Sequence, residues 1–203
     1  MNDTVYCYPP DYQVLRNKLN LHSASELDFF EREFVTFRAM QDLPRGDFDL
    51  DHLRALHFHL FQDIYEWAGD VRCVEISKGG SQFQFRRYIE TGMGDVHRRI
   101  QAQGYLRGLS AERFSYKAGD IIGDVNYIHP FREGNGRTQL YFLKQLAQQA
   151  GHNIDLTQVK PAKWMVASRI AHRADYRIMR QCILDMIVEP QHRVDRGDRE
   201  HGD

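Results

Sequence analysis

The chain has 203 residues and a formal net charge of −1 at pH 7, so its length suits one domain with a sizeable core. The balanced charge gives no general attraction to nucleic acid or to an anionic membrane, and no apolar run approaches the roughly 20 residues that span a bilayer. Because the N-terminus also lacks a signal-peptide pattern, we expect a cytoplasmic protein that contacts neither membrane nor nucleic acid directly.

The N-terminal part of the chain is predicted to be an arm followed by a helix. Residues 1–22 are rich in turn-forming residues and are expected to lie as an extended arm on a domain that covers residues 23–188. A helix is predicted over residues 25–37 from apolar residues that recur at helical spacing. We expect this largely aromatic stripe to face the core: Leu27, Phe30, Phe34 and Phe37.

A second predicted helix follows the turn at residues 44–47, is capped by Asp49 or Asp51, and ends at Gly69. It carries three of the chain's ten histidines, namely His52, His57 and His59. No Cys-x-x-Cys or His-Glu-x-x-His spacing accompanies them, and on a helix they do not converge on one point. We therefore interpret these histidines as surface or helix-packing residues and not as metal ligands.

Residues 71–85 change to strand-like patterning. A turn signal at residues 78–81 separates two short apolar segments, and Phe83 and Phe85 alternate with glutamines. This pattern predicts a short β-hairpin in an otherwise helical protein. An isolated hairpin is marginally stable, so one that persists often offers its edge to a partner. The alternative is a structural loop that buries its two phenylalanines.

The rest of the chain is predicted to be helical up to a polar tail. The predicted helices cover residues 87–103, 110–127, 137–150, 161–172 and 175–188. The polar composition of residues 189–203 predicts a disordered tail. The sequence therefore predicts an all-α fold, a helical bundle with one short β-hairpin, and no second domain.

The most informative run is His129-Pro-Phe-Arg-Glu-Gly-Asn-Gly-Arg-Thr138, which lies between two predicted helices. Gly134 and Gly136 can adopt positive φ and, with Asn135 between them, can aim successive backbone N–H groups at an anion. The helix that follows adds the positive end of its dipole at the same point. The run therefore predicts a phosphate-binding site.

Three charged or titratable side chains of this run extend the prediction to nucleotide chemistry. Glu133 would repel a bare phosphate, and a Mg²⁺ ion that bridges carboxylate and phosphate oxygens removes this conflict. Arg137 offers a planar fork of donors that suits phosphate oxygens. His129 can titrate near neutral pH, as a general base should, and Pro130 biases its backbone away from the helix.

Residues 129–140 resemble the signature of Fic-domain proteins, His-x-Phe-x-(Asp/Glu)-Gly-Asn-Gly-Arg-x-x-Arg, at every specified position except the last. That position, usually a second Arg, is Leu140 here. The runs Trp67-Ala68-Gly69 and Ile76-Ser77-Lys78-Gly79 also look Fic-like, which extends the resemblance to nearly the whole chain. The resemblance implies the Fic fold, in which a hairpin flap (about residues 71–85 here) lies beside the active-site loop.

The resemblance also implies an activity and assigns roles to residues. Fic proteins transfer a nucleotidyl group, usually AMP from Mg²⁺-bound ATP, to a Ser, Thr or Tyr hydroxyl of a target protein. By resemblance, His129 is the general base, Glu133 holds the metal ion, and Phe131 is a buried plug. The nucleotide phosphates are assigned to Gly134, Asn135, Gly136 and Arg137. The edge that pairs with target backbone is assigned to Ile76, Ser77, Lys78 and Gly79.

Regulation and target are implied by resemblance alone. The chain contains no match to the inhibitory pattern (Ser/Thr)-x-x-x-Glu-(Gly/Asn), so it resembles bacterial Fic toxins that a separate small antitoxin protein silences and that modify type II topoisomerase subunits. The alternatives are a secreted effector that modifies host GTPases, a Fic-like kinase or phosphocholine transferase, and a protein that binds nucleotide without turnover. Leu140 either weakens γ-phosphate binding or only extends the apolar face of its helix.

Overall fold

The structure is a computed structural model that describes residues 3–188. Within this range it contains seven α-helices: α1 Ala24–Ala39, α2 Leu50–Phe61, α3 Ile89–Ala102, α4 Ala111–Ile128, α5 Asn135–Ala150, α6 Pro161–Ala171 and α7 Arg177–Met186. Four two-residue strands accompany them: β1 Ser77–Lys78, β2 Ser81–Gln82, β3 Asn153–Ile154 and β4 Ile187–Val188. The predicted all-α fold with a hairpin is confirmed. The predicted disordered tail lies outside the described residues.

Helix α4 is the centre of the bundle. It packs against α3, α5, α6 and α7, and α5 in turn packs against α2. The ten-residue motif therefore begins at the C-terminal end of the central helix and ends in the first turn of a helix that is held on two sides. No helix in residues 3–188 combines the length and the apolar character needed to cross a membrane.

The prediction for the buried face of α1 was right for Leu27 and wrong for Phe30 and Phe37. Its buried residues are Leu27, Glu31 and Val35, whereas Phe30 is 39% exposed and Phe37 is 59% exposed. The reason is that α1 packs against α2 along a face spaced i, i+4 and i+8. Phe30 and Phe37 lie off this face, whereas Phe34 is partly buried against the neighbouring core cluster. The carboxylate of Glu31 thus lies on the buried face, between two apolar residues that are each one turn away.

Helix α2 begins where predicted, with the Asp49 side chain accepting a hydrogen bond from the His52 backbone N–H, but it ends eight residues early. Residues 62–69 form turns instead. They bend back over the helix, so that the Gly69 N–H reaches Nδ1 of the buried His57 at 2.8 Å. This bond and the burial of Ile64 and Tyr65 account for the shorter helix.

The flap hairpin is real but shorter than predicted. Strands β1 and β2 pair antiparallel, with Ser77 opposite Gln82 and Lys78 opposite Ser81. Gly79 and Gly80 both have positive φ at the turn, as a tight hairpin requires. Strands β3 and β4 form a second antiparallel pair that was not predicted, because two-residue strands leave no periodic signal in a sequence.

The N-terminal arm lies against the motif and against the start of the flap, before the hairpin strands. Asp3 forms an ion pair with Arg132 of the motif loop. The Tyr6 hydroxyl accepts a hydrogen bond from the Cys73 backbone N–H at 3.1 Å. Residues 3–22 contain no helix and make one isolated β-bridge, Cys7 with Leu15. The arm therefore supports the loop that carries the predicted site.

Candidate active site

The backbone of His129 ends α4 in the left-handed conformation, with φ 49°. Its ring Nδ1 lies 3.0 Å from the Asn126 backbone carbonyl. Because a carbonyl oxygen only accepts, Nδ1 carries the proton and Nε2 keeps its lone pair. The loop thus presents His129 in the tautomer that a general base needs.

The surroundings of the His129 ring keep it neutral. The Phe83 ring stacks on it at 3.7 Å between centroids, with an interplanar angle of 17°. Burial lowers the pKa of His129 to about 4, and the nearby positive charges of Arg72 and Lys78 act in the same direction. The imidazole is therefore ready to accept a proton at pH 7, and the negative charge of a bound triphosphate would raise its pKa again.

The two motif glycines serve different purposes. Gly134 has φ 79°, and a Cβ there would lie 2.4 Å from Cζ of the buried Phe61. Gly136 lies inside α5 and is not among the residues with positive φ, so that part of the sequence prediction was wrong. A Cβ at Gly136 would meet nothing within 4 Å, which leaves this side of the helix start open to a ligand.

Asn135 closes the motif loop with its side chain. Its Nδ2 donates to the Phe131 carbonyl at 2.8 Å, and its Oδ1 accepts from the Phe131 N–H at 2.9 Å. The side chain is thus bound within the protein, and Asn135 can meet a ligand only through its backbone.

The first turn of α5 offers unpaired backbone donors. No side chain of the described residues caps this helix. The first intrahelical bond runs from the Thr138 N–H to the Gly134 carbonyl. The N–H groups of residues 135–137 therefore have no intrahelical acceptor, and they form the kind of helix terminus that binds phosphate.

Glu133 suits a shared magnesium site. Its side chain is 48% exposed, its Oε1 accepts from the Gly134 N–H at 2.9 Å, and it lies 3.9 Å from the Arg137 guanidinium. Residues 3–188 contain no group of three or more side chains placed to hold a metal ion by themselves. The half-exposed carboxylate of Glu133 fits Mg²⁺, which proteins commonly bind through one or two carboxylates together with substrate phosphates.

Arg137 is held by a carboxylate that sequence reasoning did not identify. Its guanidinium forms an ion pair with Glu31 of α1 and lies over the Phe61 ring, 4.8 Å from the centroid. The Tyr65 hydroxyl donates to the other oxygen of the same carboxylate. Glu31 is only 6% exposed, so its carboxylate is shielded from water, whereas the Arg137 side chain is 31% exposed. Glu31 was missed because the sequence pattern indicated a different buried face for α1.

His57 supports the motif loop from inside the protein. Its Nε2 donates to the Glu133 backbone carbonyl at 3.0 Å, and its ring stacks on Phe131 at 3.9 Å between centroids. Burial lowers the pKa of His57 to about 3, so the ring stays neutral. Phe131 is fully buried beneath the loop. His57 thus holds the loop in place. Sequence reasoning missed this role because His57 and Glu133 are 76 positions apart.

The flap reaches His129 through Phe83, one residue beyond β2. Ser77, Lys78 and Gly79 are exposed, and Ile76 is half-buried. Within residues 3–188, β1 pairs only with β2, so its outer edge has no ladder partner. The structure thus places Phe83, at the end of the hairpin, against the ring of His129. Leu140 is partly buried against the main core, which favours the interpretation that it extends the apolar face of α5.

Comparison with known proteins identifies a family and several relatives of this chain. The Fic/DOC family profile matches residues 47–147. The chain is 43% identical over 162 residues to the "Probable protein adenylyltransferase y4lH" of Sinorhizobium fredii, covering 79% of this chain and 84% of that protein. It is 34% identical over 188 residues to the "Probable protein adenylyltransferase Fic" of Salmonella typhimurium, covering 91% and 92% respectively.

Solved structures give the same answer for the fold. The BepC effector of Bartonella tribocorum, with bound AMPPNP, matches with a TM-score of 0.83 at 23% identity, over 92% of this chain and 97% of that one. The N-terminal Fic domain of a Bartonella quintana effector, with bound ADP, matches with a TM-score of 0.82 at 25% identity, over 92% and 95%. The chain belongs to the Fic/DOC family.

Proposed function

We propose that this chain transfers AMP from ATP to a hydroxyl group of a target protein. The enzyme class follows from the relatives, since four of them, 31–43% identical over 79–91% of this chain, are called protein adenylyltransferases. The observation that supports this proposal most directly is the short distance along the chain between His129 and the start of α5. The loop between them connects the available Nε2 of His129 to the open N-terminus of α5.

The reaction is an in-line displacement at phosphorus. The target oxygen forms a bond to the α-phosphorus of ATP, the bond from that phosphorus to the bridging oxygen breaks, and pyrophosphate leaves. The hydroxyl proton passes to Nε2 of His129. A positioned base of this kind contributes about 10²–10⁴-fold to the rate, and most of the remaining acceleration comes from positioning and charge neutralisation.

The protein supplies both the positioning and the charge neutralisation. The backbone N–H groups at the start of α5 hold phosphate oxygens, and Gly136 leaves room for them. Arg137 contributes a positive charge once it exchanges Glu31 for phosphate. When bound, Mg²⁺ held by Glu133 would neutralise phosphate charge. His57 and Asn135 keep the loop in shape while ligands enter and leave.

The target segment is proposed to add to the flap as a β-strand. The outer edge of β1, at residues 76–79, offers backbone hydrogen-bonding groups that are independent of target sequence. Phe83 ties the flap to the ring of His129, so a hydroxyl on the added segment would be carried towards the base.

We further propose a bacterial target, type II topoisomerase subunits, and control by a separate small antitoxin protein. This part is supported by sequence resemblance to stand-alone Fic toxins. A second candidate is a translocated effector that modifies host GTPases, because several structurally similar Fic domains belong to VirB-translocated effector proteins.

The test compares two labelled forms of ATP, with the label on the α- or the γ-phosphate, in the presence of Mg²⁺. Each is incubated with the purified protein and either a bacterial or a eukaryotic cell lysate. We expect α-label in a bacterial protein and no γ-label. Transfer of γ-label alone would indicate a kinase, and the absence of α-label from both lysates would refute adenylyl transfer. Label confined to eukaryotic proteins would favour the effector.

A further inference from the structure

A buried guanidinium lies between the flap and the catalytic loop. The side chain of Arg72 is fully buried, and its Nε donates to the His129 backbone carbonyl at 2.9 Å. Its Nη1 donates to the Val74 carbonyl at 2.8 Å. Its Nη2 donates to the carbonyls of Gln84 and Ile128. One side chain thus binds backbone on both sides of the hairpin and on the residue that carries the proposed base.

Backbone hydrogen bonds reinforce the same junction. The Arg72 N–H donates to the Pro130 carbonyl at 2.9 Å, and the Gln84 N–H donates to the Tyr127 carbonyl at 3.1 Å. Both ends of the flap are therefore attached to residues 127–130. Since the hairpin has only two residues in each strand, these attachments and not its own ladder fix its position.

The guanidinium of Arg72 is hydrogen-bonded mainly to backbone carbonyls. One carboxylate approaches it, Glu75 at 3.3 Å from Nη1, and this side chain is 42% exposed. Burying a guanidinium is costly unless its donors are satisfied, and burial lowers the pKa of Arg72. The planar fork with its five N–H donors satisfies four carbonyls in three chain segments, which a lysine ammonium with three donors cannot do.

We propose that Arg72 is a positioning residue that couples the flap to His129. It holds the target-binding edge at a fixed distance from the base and supports the left-handed backbone of His129 through its carbonyl. The inference rests on the proposed function, because it assigns the flap to the target and His129 to proton transfer. The hydrogen bonds and the ion pair of Arg72 go to residues 74, 75, 84 and 128–130 and not to the first turn of α5, so we expect nucleotide binding not to depend on it.

The test compares Arg72→Lys with the matched control Arg180→Lys. Arg180 is partly buried, with 24% of its side chain exposed, and it is bonded to the carboxylate of Asp120, but it joins α4 to α7 away from the flap. Initial rates of α-label transfer into bacterial lysate proteins are measured over a range of ATP concentrations. Calorimetric titration gives the Kd for ATP, and melting curves confirm that each variant is folded at the assay temperature.

We expect Arg72→Lys to lower the maximal rate by roughly tenfold or more, because small misplacements of reacting groups are costly. The KM and Kd for ATP should stay within about twofold of wild type. Arg180→Lys should keep the wild-type rate even if it melts earlier. An unchanged maximal rate in Arg72→Lys would overturn the proposal. A loss of ATP affinity as large as the loss of maximal rate would also overturn it.

Hydrogen exchange separates this proposal from the proposed activity. In Arg72→Lys the amides of Phe83 and Gln84, which donate to Ile76 and Tyr127, should exchange faster than in wild type, while those of α5 should not change. If wild type transfers no label, the proposed function fails and this exchange pattern still tests the coupling. Flap amides that exchange as slowly as in wild type would refute it.

Discussion

Glu31 of α1 forms an ion pair with Arg137 of the catalytic motif, and the Tyr65 hydroxyl holds the same carboxylate. The cation that the motif offers to phosphate is thus already engaged by a buried protein anion. A phosphate that binds to Arg137 must compete with this partner, and the negative charge of Glu31 lies close to where the phosphate would sit. We therefore expect nucleotide affinity to depend on a residue outside the motif.

Replacing Glu31 with Gln should strengthen ATP binding. The change removes a negative charge and frees the Arg137 guanidinium, and we expect the Kd for ATP to fall by roughly three- to tenfold. Calorimetric titration measures this directly. The matched control is Glu33→Gln, an exposed residue of the same helix, which should leave the Kd unchanged. Weaker binding in a folded Glu31→Gln variant would mean that Glu31 positions Arg137 for phosphate and does not compete with it.

The two motif glycines should respond differently to alanine. Gly134→Ala places a Cβ 2.4 Å from Phe61 at a positive φ, so it should lower the free energy of unfolding by about 2 kcal/mol or more. Gly136→Ala meets no protein atom and should leave stability unchanged or slightly higher.

Nucleotide binding separates the two roles. In Gly136→Ala the new methyl group projects into the space proposed for phosphate, so ATP affinity should fall although the fold is intact. Denaturant unfolding and ATP titration of both variants provide the measurements. Tight ATP binding by Gly136→Ala would place the phosphates elsewhere.

Much of this site could be predicted from the sequence because its chemistry lies in one short run. The residues that hold the run in place could not, because their partners are distant along the chain. Arg72 binds His129 across 57 positions, and nothing in its neighbourhood distinguishes it from a surface arginine. Glu31 was hidden by an aromatic pattern that indicated the wrong helix face. Hydrophobic periodicity finds helices, but it does not show which buried polar groups meet.

The pH dependence of transfer should reflect the environment of His129. The base works in its neutral form, and burial lowers its pKa to about 4, with Arg72, Lys78 and His172 acting in the same direction. Activity should therefore persist as the pH falls below the ordinary histidine value of about 6.5 and decline only at more acidic pH. The profile of kcat/KM against pH measures this midpoint for the free enzyme. A midpoint at or above the ordinary value would contradict the burial of the base.

The free energy of unfolding should decrease as the pH is lowered, because of His57. Its pKa is lowered to about 3 in the folded protein, so the unfolded chain binds the proton more readily and protonation favours unfolding. The loss begins as the pH falls through the unfolded value of about 6.5, and His57 alone should cost about 2 kcal/mol between pH 7 and pH 5. Denaturant titrations at the two pH values measure it. His57→Gln should show a smaller difference between them, and an equal difference would assign the effect to other groups.

The most direct test of the proposed mechanism is transfer of α-label by wild type and by His129→Asn. Asparagine tolerates the left-handed backbone of this position but cannot accept the proton. The control is His152→Asn, which removes a ring also bonded to a backbone carbonyl, beyond the far end of the 16-residue helix α5, a helix about 24 Å long. We predict that His129→Asn binds ATP like wild type and transfers label about 10²–10⁴-fold more slowly, while His152→Asn stays active. Transfer by folded His129→Asn at the wild-type rate would contradict the role of His129 as the base.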